Sequence, residues 1–255
     1  MSHVSIVTGA SRGIGEAIVD ILLQNKGSKV VAVARSKEAL VALQTKYGKD
    51  RVEIVAGDVT ASETSKQAVA TAISKFGQLN SVIANAGVID PVGKIEETAI
   101  EDWKKLYDIN LFSVVQLIQH ALPELQKTKG NVVAVSSGAA TSAYSGWYAY
   151  GSSKAALNHL ILSLATEEKN SGVQAISIAP GVVATDMQKE IREKHGVGMN
   201  PEVWQRFIDL HKNKQLVDAD EPGAVLANLA LKGWPEEVNG QFLRYNDEKL
   251  SSYRK

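Results

Sequence analysis

The chain has 255 residues, 44% hydrophobic and 22% charged, which suits an ordinary globular protein with room for one large α/β domain. Lysine plus arginine and aspartate plus glutamate both number 28, so a net charge of zero argues against nucleic acid, an anionic membrane surface or an acidic partner. Cysteine is absent, which excludes disulfides, thiolate catalysis and cysteine metal sites and suits a reducing cytoplasm.

Val4–Thr8 reads as a first strand with no basic region ahead of it, so no signal peptide is expected. Thr8-Gly9-Ala10-Ser11-Arg12-Gly13-Ile14-Gly15 follows directly and opens a helix-like stretch over 13–26. Glycine allows a sharp turn there and lets a pyrophosphate approach the helix N-terminus, where free N–H groups favour anions. The spacing is G-x-x-x-G-x-G rather than G-x-G-x-x-G, but its place between strand and helix points to a dinucleotide. The alternative is a tight strand-to-helix turn with no ligand.

The second strand, Lys29–Ala34, ends in Arg35-Ser36, where many NAD-binding folds place an acid for the ribose hydroxyl. Two guanidiniums, Arg12 and Arg35, beside a hydroxyl suit a 2′-phosphate, so NADP(H) is expected over NAD(H). Otherwise both arginines are solvated surface residues.

Strand candidates continue at Val52–Ala56, Ser81–Ala84, Asn131–Ser136, Val173–Ala179 and Gly240–Tyr245. Helix-like stretches lie at 36–47, 62–76, 100–127, 147–170 and 220–231. Runs such as Val30-Val31-Ala32-Val33-Ala34 suit strands buried on both faces. Such alternation implies right-handed crossovers and an α/β, doubly wound (Rossmann) parallel sheet of about seven strands with helices on both faces. One domain is expected over 1–255. No apolar stretch approaches the ~20 residues needed to span a bilayer. The five histidines show no metal-ligand spacing, so no metal is expected.

The stretch 187–216 breaks this rhythm. Asn200-Pro201-Glu202 reads as a capped helix start, with Trp204, Phe207, Ile208 and His211 following at helical spacing. It is either a substrate lid or a plain packing helix.

Tyr150 and Lys154 stand four apart ahead of an apolar helical run, one turn apart on one face. A phenol beside an ammonium is a proton donor whose pKa can be lowered toward the working range.

Together these motifs resemble the short-chain dehydrogenase/reductase family over nearly the whole chain, from Val4 to about Tyr245. They stand in the family's order: Thr8-Gly9…Gly13-x-Gly15, Asp58-Val59, Asn85-Ala86-Gly87, Asn110, Ser136-Ser137, Tyr150…Lys154 and Pro180-Gly181…Thr185. Within the family the chain looks most like fungal benzil reductases and the related sepiapterin-reductase-like carbonyl reductases. The resemblance implies Tyr150 as acid/base, Lys154 as its partner and Ser137, thirteen residues before the tyrosine, as the serine that holds the substrate oxygen. Asn110 would support a water leading from the lysine to solvent. The implied cofactor contacts are Gly9, Ser11, Arg12, Gly13, Ile14, Gly15, Arg35, Ser36, Asp58, Val59, Asn85, Ala86 and Gly87. Tyr150, Lys154, Pro180, Gly181, Val183 and Thr185 complete them.

Ala139, Tyr144, Trp147, Tyr148 and Met187, with Ser137, read as a substrate rim. No Arg or Lys is placed there by the sequence to clamp a carboxylate. The expected substrate is an uncharged, aromatic ketone, aldehyde or vicinal diketone. Rival readings are a cofactor-sensing regulator without turnover, and a ketoacyl-thioester or steroid reductase. Family members are usually oligomers, so a homodimer or homotetramer is expected, with Ala155, Ala156, Ser163 and Ala165 as candidates for close helix packing.

Overall fold

In the computed structural model, which describes residues 2–254, seven strands form one parallel sheet with helices on both faces. The strands are β1 His3–Thr8, β2 Ser28–Ala34, β3 Val52–Ala56, β4 Ser81–Ala84, β5 Asn131–Val135, β6 Gln174–Ala179 and β7 Phe242–Arg244. The helices are α1 Gly13–Leu22, α2 Lys37–Tyr47, α3 Ser62–Phe76, α4 Ile100–Tyr107, α5 Ser113–Thr128, α6 Tyr148–Glu167, α7 Asp186–Lys194, α8 Pro201–Lys212 and α9 Asp220–Lys232.

The strand order is β3-β2-β1-β4-β5-β6-β7, and every neighbouring pair is parallel. Winding reverses between β1 and β4, and a crevice opens beyond the C-terminal ends of the strands at such a reversal. The expected doubly wound sheet is therefore the one observed.

The β2 run shows why both faces are buried. Val30 and Ala32 point into one apolar layer with Ile18, Leu22 and Leu226, while Val31 and Val33 point into the other with Leu117 and Ile161. Burial of each large side chain contributes about 1.5–3 kcal/mol.

Two expected helices are corrected. The stretch 100–127 is broken by a π turn at Asp108–Phe112, between α4 and α5. A uniform apolar stripe does not reveal this, because a single polar residue, Asn110, is what turns inward there. The stretch 13–26 ends at Leu22, after which Asn25 uses its side chain to accept the Gly27 N–H at 3.0 Å and favours a turn.

Residues 187–216 form most of an excursion between β6 and α9. Asn200 accepts the Glu202 N–H at 2.9 Å and Pro201 opens α8, as the capped start predicted. The two ends of the excursion are pinned side by side: the Ala184 N–H donates to Val217 and the Val217 N–H to Val182, both at 2.9 Å.

Candidate active site

The glycine turn is built by backbone geometry. Gly9 and Gly13 have φ of +66° and +57°, a region that side chains disfavour. A Cβ on Gly15 would collide with the Gly9 carbonyl and lie 2.6 Å from Asn85 Nδ2. Gly15 therefore packs the helix onto the turn and does not itself face the crevice. Arg12, the N-cap of α1, places no side chain on the first-turn N–H groups, which leaves them available to an anion.

Thr8 ties the turn to β4. Its hydroxyl accepts the N–H groups of Asn85 (3.0 Å) and Ala86 (3.1 Å). Asn85 Nδ2 donates in return to the carbonyls of Thr8 (2.9 Å) and Gly9 (3.3 Å). Asn85 thus braces the turn as well as bordering the space above it.

That space is a cleft of about 820 Å³ along the strand ends. Its walls include Gly9, Ser11, Arg12, Gly13 and Ile14 from the turn, Arg35 and Ser36 after β2, and Asp58 and Val59 after β3. Asn85, Ala86 and Gly87 follow β4, and Tyr150, Lys154, Pro180, Thr185 and Met187 close the far end. The predicted residues Gly15, Asn110, Ser137, Gly181, Val183, Ala139, Tyr144, Trp147 and Tyr148 do not border it. Gly181, at φ +83°, packs instead against Tyr245, and Val183 is buried in the pinned base of the excursion.

At the β2 end, the Ser36 hydroxyl accepts the Ala39 N–H at 3.4 Å and caps α2. The Asp58 carboxylate accepts the N–H (2.9 Å) and hydroxyl (2.8 Å) of Thr60, which hold its carboxyl below the usual range; the Arg35 charge adds to this.

Tyr150 and Lys154 are both buried, at the start of α6. Lys154 Nζ donates to the Val135 carbonyl at 2.9 Å and lies 5.9 Å from the Tyr150 ring centroid. Burial lowers the Lys154 pKa to about 8. The expected lowering at Tyr150 is not found: burial raises its pKa, and only the hydrogen bond with Ser137 acts the other way. Desolvation of the phenol is the larger influence, and the Lys154 ammonium faces the Val135 carbonyl.

Asn110 is fully buried and doubly bonded to one residue. Its Oδ1 accepts the Val88 N–H and its Nδ2 donates to the Val88 carbonyl, both at 2.9 Å, with a further bond to the Ser153 hydroxyl at 3.2 Å. The π turn supplies this inward reach, and it fixes the chain just beyond Gly87.

Beside Tyr150 lies an aromatic cluster. Trp147 meets the Tyr150 ring edge-on at 5.6 Å, stacks on Phe207 of α8 at 5.4 Å and touches Tyr144 at 4.9 Å. Ala139 is buried in the same cluster, whereas Tyr148 is largely exposed. Phe207 was visible as one of a helical series, but nothing in the series marked Trp147 as its partner.

Lys189, Arg192 and His211 also border the cleft, from α7 and α8. The sequence places no Arg or Lys to clamp a substrate carboxylate and does not single out these three, which reach the cleft because the excursion folds back over the strand ends. Thr185, Lys189 and Arg192 fall at i, i+4 and i+7, a spacing that shows one shared face. Arg12 Nη1 meets Asp186 Oδ2 at 2.8 Å, linking the glycine turn to the start of α7.

Among the described residues no group of three or more His, Asp or Glu side chains could hold a metal, and no helix is long and apolar enough to cross a membrane. Of the small residues proposed for helix packing on α6, Ala165 is buried beneath Gly240 and so faces the fold's own interior.

A family profile described as short chain dehydrogenase matches residues 3–196. An oxidoreductase of Saccharomyces cerevisiae, described as uncharacterised, is 51% identical over 255 residues, covering 99% of both chains. A benzil reductase ((S)-benzoin forming) of the same yeast is 45% identical over 258 residues, covering 98% of both. A solved short-chain dehydrogenase/reductase from S. cerevisiae superposes with a TM-score of 0.97 at 50% identity, covering 100% of both chains.

Proposed function

Since the chain belongs to the short-chain dehydrogenase family, an oxidoreductase family that uses nicotinamide cofactors, we propose that it is an NADPH-dependent carbonyl reductase with Tyr150 as proton donor. Its proposed substrate is a neutral, aromatic ketone, aldehyde or vicinal diketone of the benzil type. The observation that carries the reading is the meeting of Tyr150 and Lys154 with one continuous cleft that begins at the glycine turn.

The residues fit a dinucleotide. The positive-φ glycines and the first-turn N–H groups of α1 suit a pyrophosphate. Arg35 and Ser36 border the cleft after β2, and a guanidinium beside a hydroxyl with no acid at that turn suits a 2′-phosphate. Arg12, Lys189 and Arg192 add positive charge along the same cleft, which suits the several phosphates of the cofactor. When bound, the dinucleotide supplies the hydride.

The chain manages the proton and the developing charge. Tyr150 gives its proton to the carbonyl oxygen, and its raised pKa keeps it protonated until then. Lys154, charged below about pH 8, stabilises the phenolate that remains. Ser137, which acts to lower the pKa of the same phenol, orients the oxygen that receives the proton. Asn110 positions the Val88 chain segment that borders the site. Trp147, Tyr144 and Phe207 give the neighbourhood of Tyr150 an aromatic character, and a relative named for benzil reduction supports a diaryl substrate.

The test is a panel of neutral aryl ketones, diketones, acidic keto compounds, ketoacyl thioesters and steroids, each assayed with NADPH and NADH. Benzil-like substrates with NADPH are expected to be turned over fastest. Tyr150→Phe should lower kcat by about 10²- to 10⁴-fold and leave NADPH affinity nearly intact. Unchanged turnover in that variant would remove the mechanism, and faster reduction with NADH would remove the cofactor preference.

A further inference from the structure

β7 is an edge strand of the sheet, and its last residue, Arg244, pairs in register with Ala179 of β6. Alternation along the strand buries Leu243 and turns Arg244 out to solvent. Ser137 and Gly138 follow β5, two strands away from β7, or ~10 Å at about 4.8 Å per strand. The Arg244 guanidinium nonetheless ends beside them. Its Nη1 lies 3.8 Å from where a Cβ on Gly138 would stand, so the side chain runs back over the end of β6 toward the neighbour of Ser137.

The backbone of Arg244 is anchored. Its carbonyl accepts the Asp247 N–H, and the Tyr245 N–H donates to Ala179, both at 2.9 Å. Its side chain has no hydrogen bond or ion pair among the described residues. The carboxylates around it are engaged elsewhere: Glu248 with Arg254 at 3.9 Å, Asp247 with the Lys249 N–H at 3.0 Å, and Glu221 with the Tyr245 hydroxyl at 3.4 Å. A fixed base thus carries an accessible, unpaired guanidinium, a forked donor set with no acceptor of its own.

Position identifies what that donor set meets. Ser137, Gly138 and Arg244 all stand outside the walls of the 820 Å³ cleft that suits the dinucleotide, so their side of Tyr150 is left to the substrate. Resting on the carbonyl-reductase reading given above, we propose that Arg244 is a specificity-determining residue that binds a second acceptor oxygen of the substrate, beyond the carbonyl being reduced. Two sources share that chemistry: the other carbonyl of a vicinal diketone, and the carboxylate of a 2-oxo acid. The guanidinium donates a single bond to the first and a parallel pair to the second.

The test measures kcat and KM with NADPH for three probes: benzil; deoxybenzoin, which keeps the skeleton but has one carbonyl; and benzoylformate, in which a carboxylate replaces the second benzoyl group. The unmodified protein, Arg244→Leu and Arg244→Lys are compared, with the NADPH Kd and the melting temperature measured alongside. In Arg244→Leu, kcat/KM should fall about tenfold for benzil, benzoylformate or both, mainly through KM, and stay within about twofold for deoxybenzoin. Arg244→Lys should recover part of the loss, and the NADPH Kd and melting temperature should not move. Whichever of the two-oxygen probes falls further names the source of the oxygen. No loss for either of them, an equal loss for all three probes, or weaker NADPH binding would each overturn the assignment. If the unmodified protein binds NADPH but reduces none of the three, the carbonyl-reductase reading falls and the assignment with it, and that result appears before any variant is made.

Discussion

The two sides of the cleft are made in different ways. The floor, from β1 through β4 to β5, is held by backbone: parallel pairing, two positive-φ glycines and the Thr8–Asn85 bonds. The roof, α7 and α8, is held mainly by side chains, the Trp147–Phe207 stack and the Arg12–Asp186 pair, above a short backbone bridge at Val183 and Val217. A backbone-built floor tolerates little change at a few positions, while a side-chain-built roof spreads its stability over many replaceable contacts.

The sharpest way to expose the floor's rigidity is Gly15→Ala. The new methyl has no space against Gly9 and Asn85, so the turn must open. A destabilisation of about 3 kcal/mol, or roughly a hundredfold loss of NADPH affinity, is expected from calorimetry and melting curves. Near-native binding would mean that the floor yields as readily as the roof.

Phe207→Ala probes the roof at similar cost but with a different reach. Loss of the stacked ring should cost about 3 kcal/mol locally. Hydrogen exchange should quicken over 201–212 and leave β2 and β5 protected. A uniform loss of protection would join the two regions into one cooperative unit.

Lys154→Met separates function from stability where α6 meets the floor. In the folded protein the amine holds its proton only to about pH 8, whereas unfolded it holds it to about 10.5. The unfolded chain therefore binds more protons between these values, and the wild type gains stability as pH rises through that window. Below pH 8 the buried charge costs on the order of 3 kcal/mol, which the methionine variant escapes. The variant's melting temperature relative to wild type should be highest below pH 8 and fall toward pH 10.5. The Val135 carbonyl loses its partner at every pH, so it offsets the curve without bending it. A difference independent of pH would contradict the buried charge.

The smallest effect belongs to the roof's latch. Arg12 and Asp186 are 68% and 58% exposed, so Asp186→Asn should change stability by less than about 1 kcal/mol. Removing an anion from the cleft mouth should instead tighten NADPH about twofold at low salt, and the gain should vanish at high salt. Weaker binding would show that the pair holds the roof in place.

The same contrast decides what the sequence revealed. Floor residues announce themselves locally, since Gly9, Gly13 and Gly15 sit at a strand-to-helix junction and the β2 run is apolar throughout. Tyr150 and Lys154 were legible from their helical spacing. Roof contacts join segments far apart in the chain, so neither the Trp147–Phe207 stack nor the approach of Lys189 and Arg192 could be read from neighbours in sequence. The π turn at Asn110 was hidden because α4 and α5 together look like one helix. The behaviour of Tyr150 depended on a burial that no spacing encodes.

The pinned base at Val183 and Val217 carries a last consequence. It closes residues 184–216 into a loop whose ends are fixed independently of what lies between them. The entropy of closing such a loop grows only with the logarithm of its length, by about 0.6 kcal/mol per doubling. The excursion can therefore be lengthened, shortened or exchanged for another at small thermodynamic cost to the sheet, which makes the roof a graftable cassette.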